Sequence, residues 1–266
     1  MKNVVYWMTH KTLDYEHAVL SFQGLTNQKC DSQFDELIIY NSHSEELPYT
    51  QLLDLVVRLN LTRLFKTVSV FPYVDTTHKS LGGDIHAIKE HANTTLNDDD
   101  RILLMKSDSV LSVNYFDEVL NKLPNKQVYF VAPFVCAKKR ITNEEILSYS
   151  QRDMFVRSDK ITFFVEDQYG SQNNDFYQRP GIEVTDEHIK FTSCYVIRDF
   201  SCHFLSVNLL PFINISQQSW GGVNFSNLSP HFIATDRCFV VHKYHDIVSE
   251  NRSNDREGPV KDWLNS

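Results

Sequence analysis

Between residues 101 and 110 the chain reads RILLMKSDSV. Ile102, Leu103, Leu104 and Met105 form an apolar run of the kind buried on both faces of a parallel sheet. The run ends in Lys106, Ser107, Asp108 and Ser109, so one strand end receives a cation, a carboxylate and two hydroxyls. A carboxylate can hold a divalent cation, and a lysine can neutralise phosphate as a point charge. Serine hydroxyls can bind ribose or phosphate oxygens. By residue type alone, Asp108 could equally cap the helix that begins near residue 114 or close a turn.

Other groups with chemical capacity lie further along. His242 and His245 form an H-x-x-H pair. Residues three apart on a strand point to opposite faces, so both can serve one ion only if the strand has ended between them. Glu166 and Asp167 follow ITFF and so sit at a strand end, where either could act as a general base. Asp175 and Glu183 are weaker alternatives. Trp220, Tyr169, Phe176 and Tyr177 fall in loops, where aromatic faces could line a cleft or form a hydrophobic cluster under the loop. Lys138, Lys139 and Arg140 read as a solvated charge run.

Elements that would position these residues follow from the spacing of apolar positions. NVVYWM (3–8), ELIIYN (36–41), KTVSVFPY (66–73), RILLMK (101–106) and QVYFVAPF (127–134) read as strands. Between them, residues 49–64 place Leu52, Leu55, Val56 and Leu59 on one helical face, and residues 80–92 place Leu81, Ile85, Ile88 and Ala92 on another. Phe116, Val119, Leu120 and Leu123 line a third helix. Strand–helix alternation predicts parallel pairing with right-handed crossovers. The expected fold is α/β, an open mostly parallel sheet with helices on both faces. In such sheets ligands bind outside the carboxyl ends of the strands, which is where Lys106 to Ser109 stand. Beyond residue 135 the alternation fades. Residues 141–153 predict a helix opened by a Thr142/Glu145 capping box. Residues 159–181 start as a strand and become a polar, aromatic loop. Residues 188–199 and 237–246 read as strands, 200–212 as a helix up to Pro211, and 217–230 as irregular at first. The expected division is 1–135, 136–250 and a polar tail, 251–266.

The bulk numbers exclude several classes. The 266 residues are 42% hydrophobic and 23% charged, ordinary for a globular chain with a sizeable core. A net charge of -8 argues against general affinity for nucleic acid. Five cysteines, an odd number with no C-x-x-C, argue against a disulfide framework or a structural zinc site and for buried thiols in a reducing compartment. No stretch approaches the ~18 apolar residues of a membrane span. The N-terminal MKNVVYWMTHKT reads as a first strand rather than a leader peptide, so a cytoplasmic location is expected.

The order of these segments resembles the glycosyltransferase A-type (GT-A) fold. DDRILLMKSDSVLSVNYFDEVLNKL is similar to that family's apolar strand, acidic D-x-D turn and following helix. SLGGDIHAIKEHAN resembles the glycine-led helix before it, and CYVIRDFSCHFLSVNLL the strand and helix that begin the acceptor half. SWGGVNFSNL resembles the glycine-rich acceptor loop, and FVVHKYHD the late strand ending in histidine. The resemblance implies a single GT-A-like domain. Residues 1–135 would bind a nucleotide sugar, a UDP- or GDP-sugar, and 136–250 a glycan or sugar acceptor. It implies donor contacts from Thr9, His10, Asn41, Lys106, Ser107, Asp108 and Ser109, and acceptor contacts from Trp220, Gly221 and Gly222. It implies a cation, Mn²⁺ or Mg²⁺, on Asp108 with His242 or His245, and a base at Glu166 or Asp167. The chain departs from the family pattern twice. Lys106 stands at the first acidic position, so metal dependence is expected to be weak or partial. Val223 and Asn224 follow the loop glycines, where the family carries carboxylates. The expected activity is transfer of a sugar from a nucleotide donor to a glycan. The rivals are a sugar-phosphate nucleotidyltransferase, whose N-terminal glycine-rich signature YWMTHKT lacks, and a non-catalytic nucleotide-sugar or glycan-binding module.

Overall fold

The structure, a computed structural model, describes residues 1–9, 15–41, 47–71, 81–132, 134–137, 141–154, 161–163, 182–184, 189–191, 202–216, 219–223, 229–235 and 237–243. The elements are β1 (Asn3–Met8), α1 (Tyr15–Thr26), β2 (Phe34–Tyr40), α2 (Tyr49–Arg58), β3 (Phe65–Phe71), α3 (Leu81–Thr95), β4 (Arg101–Lys106), β5 (Ser109–Leu111) and α4 (Tyr115–Asp117). There follow β6 (Tyr129–Val131), β7 (Phe134–Ala137), α5 (Asn143–Ser150), β8 (Ile161–Phe163), β9 (Ile182–Val184) and β10 (Ile189–Phe191). The last are β11 (Cys202–Ser206), β12 (Ile213–Ser216), β13 (Ser219–Val223), β14 (Phe232–Ala234) and β15 (Val240–His242).

Seven strands form the main sheet, in the order β14-β6-β11-β4-β1-β2-β3. The run β4-β1-β2-β3 is parallel throughout, as the alternation predicts. Neighbouring residues of β1 show that helices cover both faces. Tyr6 Oη meets His91 Nδ1 of α3 at 2.8 Å, while Trp7 Nε1 donates to Ser21 Oγ of α1 at 3.0 Å. Successive strand residues point to opposite faces, so α1 and α3 lie on opposite sides.

A second sheet has the order β5-β15-β7-β8. The chain passes from the main sheet into it three times: from β4 through a turn at residues 107–108 into β5, from β6 into β7, and from β14 to β15. In each sheet a later strand fills the gap between the first two of these pairs. β11 lies antiparallel between β4 and β6, and β15 lies between β5 and β7, antiparallel to the first and parallel to the second.

Several boundaries differ from the sequence expectation, each for a local reason. Helix 49–64 divides, because Asn60 takes a left-handed conformation (φ 51°), which asparagine tolerates, and a 3₁₀ turn follows at Leu61–Arg63. The third helix is a three-residue turn, α4, that widens into a π-helical turn at Glu118–Lys122, yet Phe116 and Val119 still face the core. The strand expected at 127–134 is two strands in two sheets. Within the helix expected at 200–212, Cys202–Ser206 are a strand and Val207–Phe212 a 3₁₀ turn. All five residues of β11 are buried between β4 and β6, so tertiary pairing overrides the helical spacing. Residues 219–223 form a hairpin with β12 that packs against α3, where an irregular segment is expected. The Thr142/Glu145 capping box is present, with Thr142 Oγ1 accepting from Glu145 N at 3.2 Å and Glu145 Oε2 from Thr142 N at 2.8 Å.

Helix α1 grips β5 closely. A Cβ built on Gly24 would stand 2.7 Å from Val110 Cγ1. Val110 is buried and β-branched, so it cannot swing aside cheaply. Overpacking of this kind costs roughly 1–3 kcal/mol, and alanine's better helix propensity returns about 1 kcal/mol. Gly24→Ala is therefore expected to lower stability by about 1 kcal/mol in urea unfolding. Combined with Val110→Ala, it should cost less than the sum of the two single changes, because the clash is then relieved.

Candidate functional site

Strand β4 is buried along Arg101–Met105 and surfaces at Lys106. The next two residues turn. Ser107 N donates to Met8 O at 2.9 Å, fixing the turn to the end of β1, and Lys243 N donates to Asp108 O at 2.8 Å, fixing it to the end of β15. In the pairing of β15 with β5, His242 stands opposite Ser109. His242 Nε2 lies 3.0 Å from Asp108 Oδ2, so a hydrogen on that nitrogen is donated to the carboxylate. The Asp108 side chain is 2% exposed and the His242 ring 23%, so a buried carboxylate is approached through a half-open imidazole.

Ser109 is fully buried, and its hydroxyl donates to Asp108 Oδ1 at 3.3 Å. Ser107 is buried as well. The sequence offers both serines as donor contacts; in the structure Ser109 instead addresses the carboxylate beside it. Cys202, on β11, adjoins the same turn. Burial pushes its thiol well above the ordinary range. A hydrogen bond with the Ser109 hydroxyl pulls the other way, the Asp108 carboxylate raises it further, and the Lys106 charge and backbone N–H draw it down. The sequence reading missed Cys202 because it lies in a run whose spacing looks helical. Its apolar neighbours Phe204 and Leu205, buried on both sides, are the signal that could have marked a central strand.

Lys106 is half-buried and still within β4, in register with Met8. The turn interrupts the strand before Asp108, so the two do not stand as alternate residues on one extended face. At the ends of β1 and β2, Thr9 N donates to Tyr40 O at 3.1 Å, and Asn41 Nδ2 donates to Leu47 O at 2.5 Å. Asn41 is fully buried, and its amide ties the end of β2 to Leu47. Trp220, Gly221 and Gly222 lie in β13, on the hairpin against α3. His10, Glu166, Asp167 and His245 lie outside the described residues.

Among the described residues, no cluster of three or more His, Cys, Asp or Glu side chains could hold a metal ion. A site with two protein ligands is another matter. Cis ligands about 2.1 Å from an octahedral cation stand roughly 3.0 Å apart, and the Asp108 Oδ2–His242 Nε2 separation is 3.0 Å. The spacing of the pair is therefore compatible with both side chains holding one Mg²⁺- or Mn²⁺-sized ion, which would need further ligands from outside the described residues. Among the described residues, no helix is long and apolar enough to cross a membrane.

No family model matches the chain, and no curated protein matches it in sequence. Among solved structures, S. aureus TarS 1–349 in complex with UDP-GlcNAc is similar at a TM-score of 0.49 and 11% identity, covering 92% of this chain and 59% of that one. The bifunctional glycosyltransferase WbbM, in its apo form, is similar at 0.38 and 13%, covering 88% and 39%. The inositol-1-phosphate CTP transferase of T. maritima is similar at 0.40 and 8%, covering 97% of each chain. The chain spans 23%, 59% and 63% of the three TarS chains it matches. With a parallel β4-β1-β2-β3 core, helices on both faces and Asp108 in the turn at the end of β4, the chain is an α/β domain built on an open, mostly parallel sheet.

Proposed function

We propose that this chain is a glycosyltransferase, moving a sugar from a nucleoside-diphosphate sugar to a sugar or glycan acceptor. The observation that carries the reading is the Asp108–His242 pair, 3.0 Å apart at the carboxyl end of β4, where open α/β sheets receive their ligands. The donor would lie across the ends of β1, β2 and β4, with its base and ribose toward Thr9, His10 and Asn41. Its diphosphate would face Asp108, His242 and Lys106.

Sugar transfer of this kind leaves negative charge on the departing diphosphate and positive charge on the sugar ring. Lys106, half-buried at the strand end, can neutralise part of the first as a point charge. The Asp108–His242 pair fits a divalent cation, and the chemistry such an ion supplies is further neutralisation of the diphosphate. Ser109 and the backbone bonds at Met8 and Lys243 hold the carboxylate still while charge develops beside it. An acceptor hydroxyl must lose a proton as it attacks in an inverting transfer, and Glu166 or Asp167 would take it. Trp220, Gly221 and Gly222 would present the acceptor from the hairpin against α3.

Donor binding is the first test. Calorimetry is expected to detect UDP or GDP, with Mn²⁺ strengthening the interaction only in part because Lys106 supplies charge of its own. Asp108→Asn should remove the Mn²⁺-dependent portion, and Lys106→Asp should enlarge it. Failure of every nucleoside diphosphate to bind, with or without Mn²⁺, overturns the reading. The base is tested separately. Glu166→Gln or Asp167→Asn is expected to lower turnover about 10²–10⁴-fold with donor affinity intact, because a base acts on the acceptor. Full rate in both variants would place the base elsewhere or make the reaction retaining.

A further inference from the structure

The acidic turn is held from behind by a buried chain of hydrogen bonds that the donor site does not itself touch. Trp7 Nε1 on β1 donates to Ser21 Oγ on α1 at 3.0 Å, and the Ser21 hydroxyl donates to the carbonyl oxygen of Ser109 at 2.9 Å. Ser109 in turn gives its hydroxyl hydrogen to Asp108 Oδ1. Trp7, Ser21 and Ser109 are all fully buried.

A serine hydroxyl has one hydrogen to give. Ser21 gives its hydrogen to Ser109 and accepts the Trp7 N–H, which leaves its orientation no freedom. Ser109 is fixed at its carbonyl by Ser21, and its hydroxyl stands between Cys202 and Asp108. A protonated thiol can donate to Ser109 Oγ, which leaves the hydroxyl hydrogen for the carboxylate. At 3.3 Å that last bond is long for O–H···O. The outcome is a carboxylate engaged at both oxygens, Oδ1 by Ser109 and Oδ2 by His242, with its plane set by groups on four elements.

We propose that Ser21 and Ser109 are positioning residues, which aim the Asp108 carboxylate at the donor diphosphate and its cation. The proposal rests on the reading of Asp108 given above. It differs from a purely structural role for the α1–β5 seam. That seam has a second anchor, Gln28, whose Nε2 donates to Ser112 O at 2.8 Å and whose Oε1 accepts from Phe116 N at 2.9 Å. Gln28 grips the far end of β5 and none of its hydrogen bonds reaches the acidic turn, so it separates loosening of the seam from misalignment of Asp108.

The experiment titrates UDP into the full chain, with and without Mn²⁺, for the wild type and for Ser21→Ala, Ser109→Ala, Gln28→Ala and Asp108→Asn, with thermal melts in parallel. Ser21→Ala and Ser109→Ala are expected to weaken the Mn²⁺-dependent affinity about tenfold, as loss of an outer-shell partner does. Their affinity without Mn²⁺ should stay at the wild-type value. Gln28→Ala should lower the melting temperature while leaving both affinities unchanged. If the two serine variants bind like wild type while Asp108→Asn loses the Mn²⁺-dependent affinity, the positioning role is overturned and the reading of Asp108 stands. If they lose affinity equally with and without Mn²⁺, in step with Gln28→Ala, the chain is only structural and the proposal is overturned. If Asp108→Asn binds like wild type, the reading of Asp108 fails and the positioning role falls with it.

Discussion

The structure turns on the two residues, Ser107 and Asp108, at which the chain leaves one sheet and enters another. A polar turn in so buried a place must have its backbone groups satisfied. They are satisfied from three directions. Ser107 N reaches back to Met8 at the end of β1, Asp108 O receives Lys243 N at the end of β15, and the next carbonyl, of Ser109, receives the Ser21 hydroxyl from α1. The first strand, the last strand and the first helix are thus tied to one point. The carboxylate of Asp108 emerges there with its position already determined.

The same geometry explains how an almost completely buried carboxylate is tolerated. Removing a charge from water is costly unless it is paired and hydrogen-bonded. Asp108 has His242 Nε2 at one oxygen and Ser109 Oγ at the other, so both oxygens are engaged inside the protein. The imidazole is the exposed member of the pair, and it is therefore the side from which a cation or a phosphate can approach. Pairing with β5 and β7 brings the end of β15 to this spot, which makes the second sheet part of the site rather than an appendage to it.

How much of this is legible in the sequence depends on how each strand is buried. Strands β1 and β4 lie in the parallel core, and the apolar runs 3–8 and 101–106 mark their bounds residue for residue. Asp108 is legible too, as the carboxylate just past a buried strand. Strand β11 is not. Its pattern Cys202, His203, Phe204, Leu205 and Ser206 is set by antiparallel partners on both sides, β4 and β6, and neither partner can be inferred from local spacing. Missing that strand also hid Cys202, whose relation to Ser109 exists only through the β11–β4 pairing. The histidine pair was half legible. Strand alternation lets both His242 and His245 serve one ion only if the strand ends between them; β15 ends at His242, whose ring stands on Asp108, and His245 lies outside the described residues. Trp7 and Ser21 carry no signal of a site at all, since an indole and a small hydroxyl at these spacings read as ordinary packing.

The lysine in the D-x-D position follows from the same turn. In a fully extended chain, residues 106 and 108 would share a face, and an ammonium and a cation would compete for the same phosphate oxygens. Here residue 106 is the last of β4, paired with Met8, whereas residue 108 lies beyond the bend, against His242. The two positions of the motif therefore occupy different environments. The one at 108 is buried, hydrogen-bonded at both oxygens and close to a metal-competent imidazole. The one at 106 is a strand end whose residue is half-buried. On the proposed reading, a lysine rather than an acid at 106 would mean one cation ligand fewer, without leaving a buried charge unpaired. The resulting lysine remains near enough to feel the Cys202 thiol beneath the turn. On the proposed reading a lysine is thus structurally admissible at 106 where it would not be at 108, and it would move part of the task of neutralising a diphosphate from a bound ion to the protein itself.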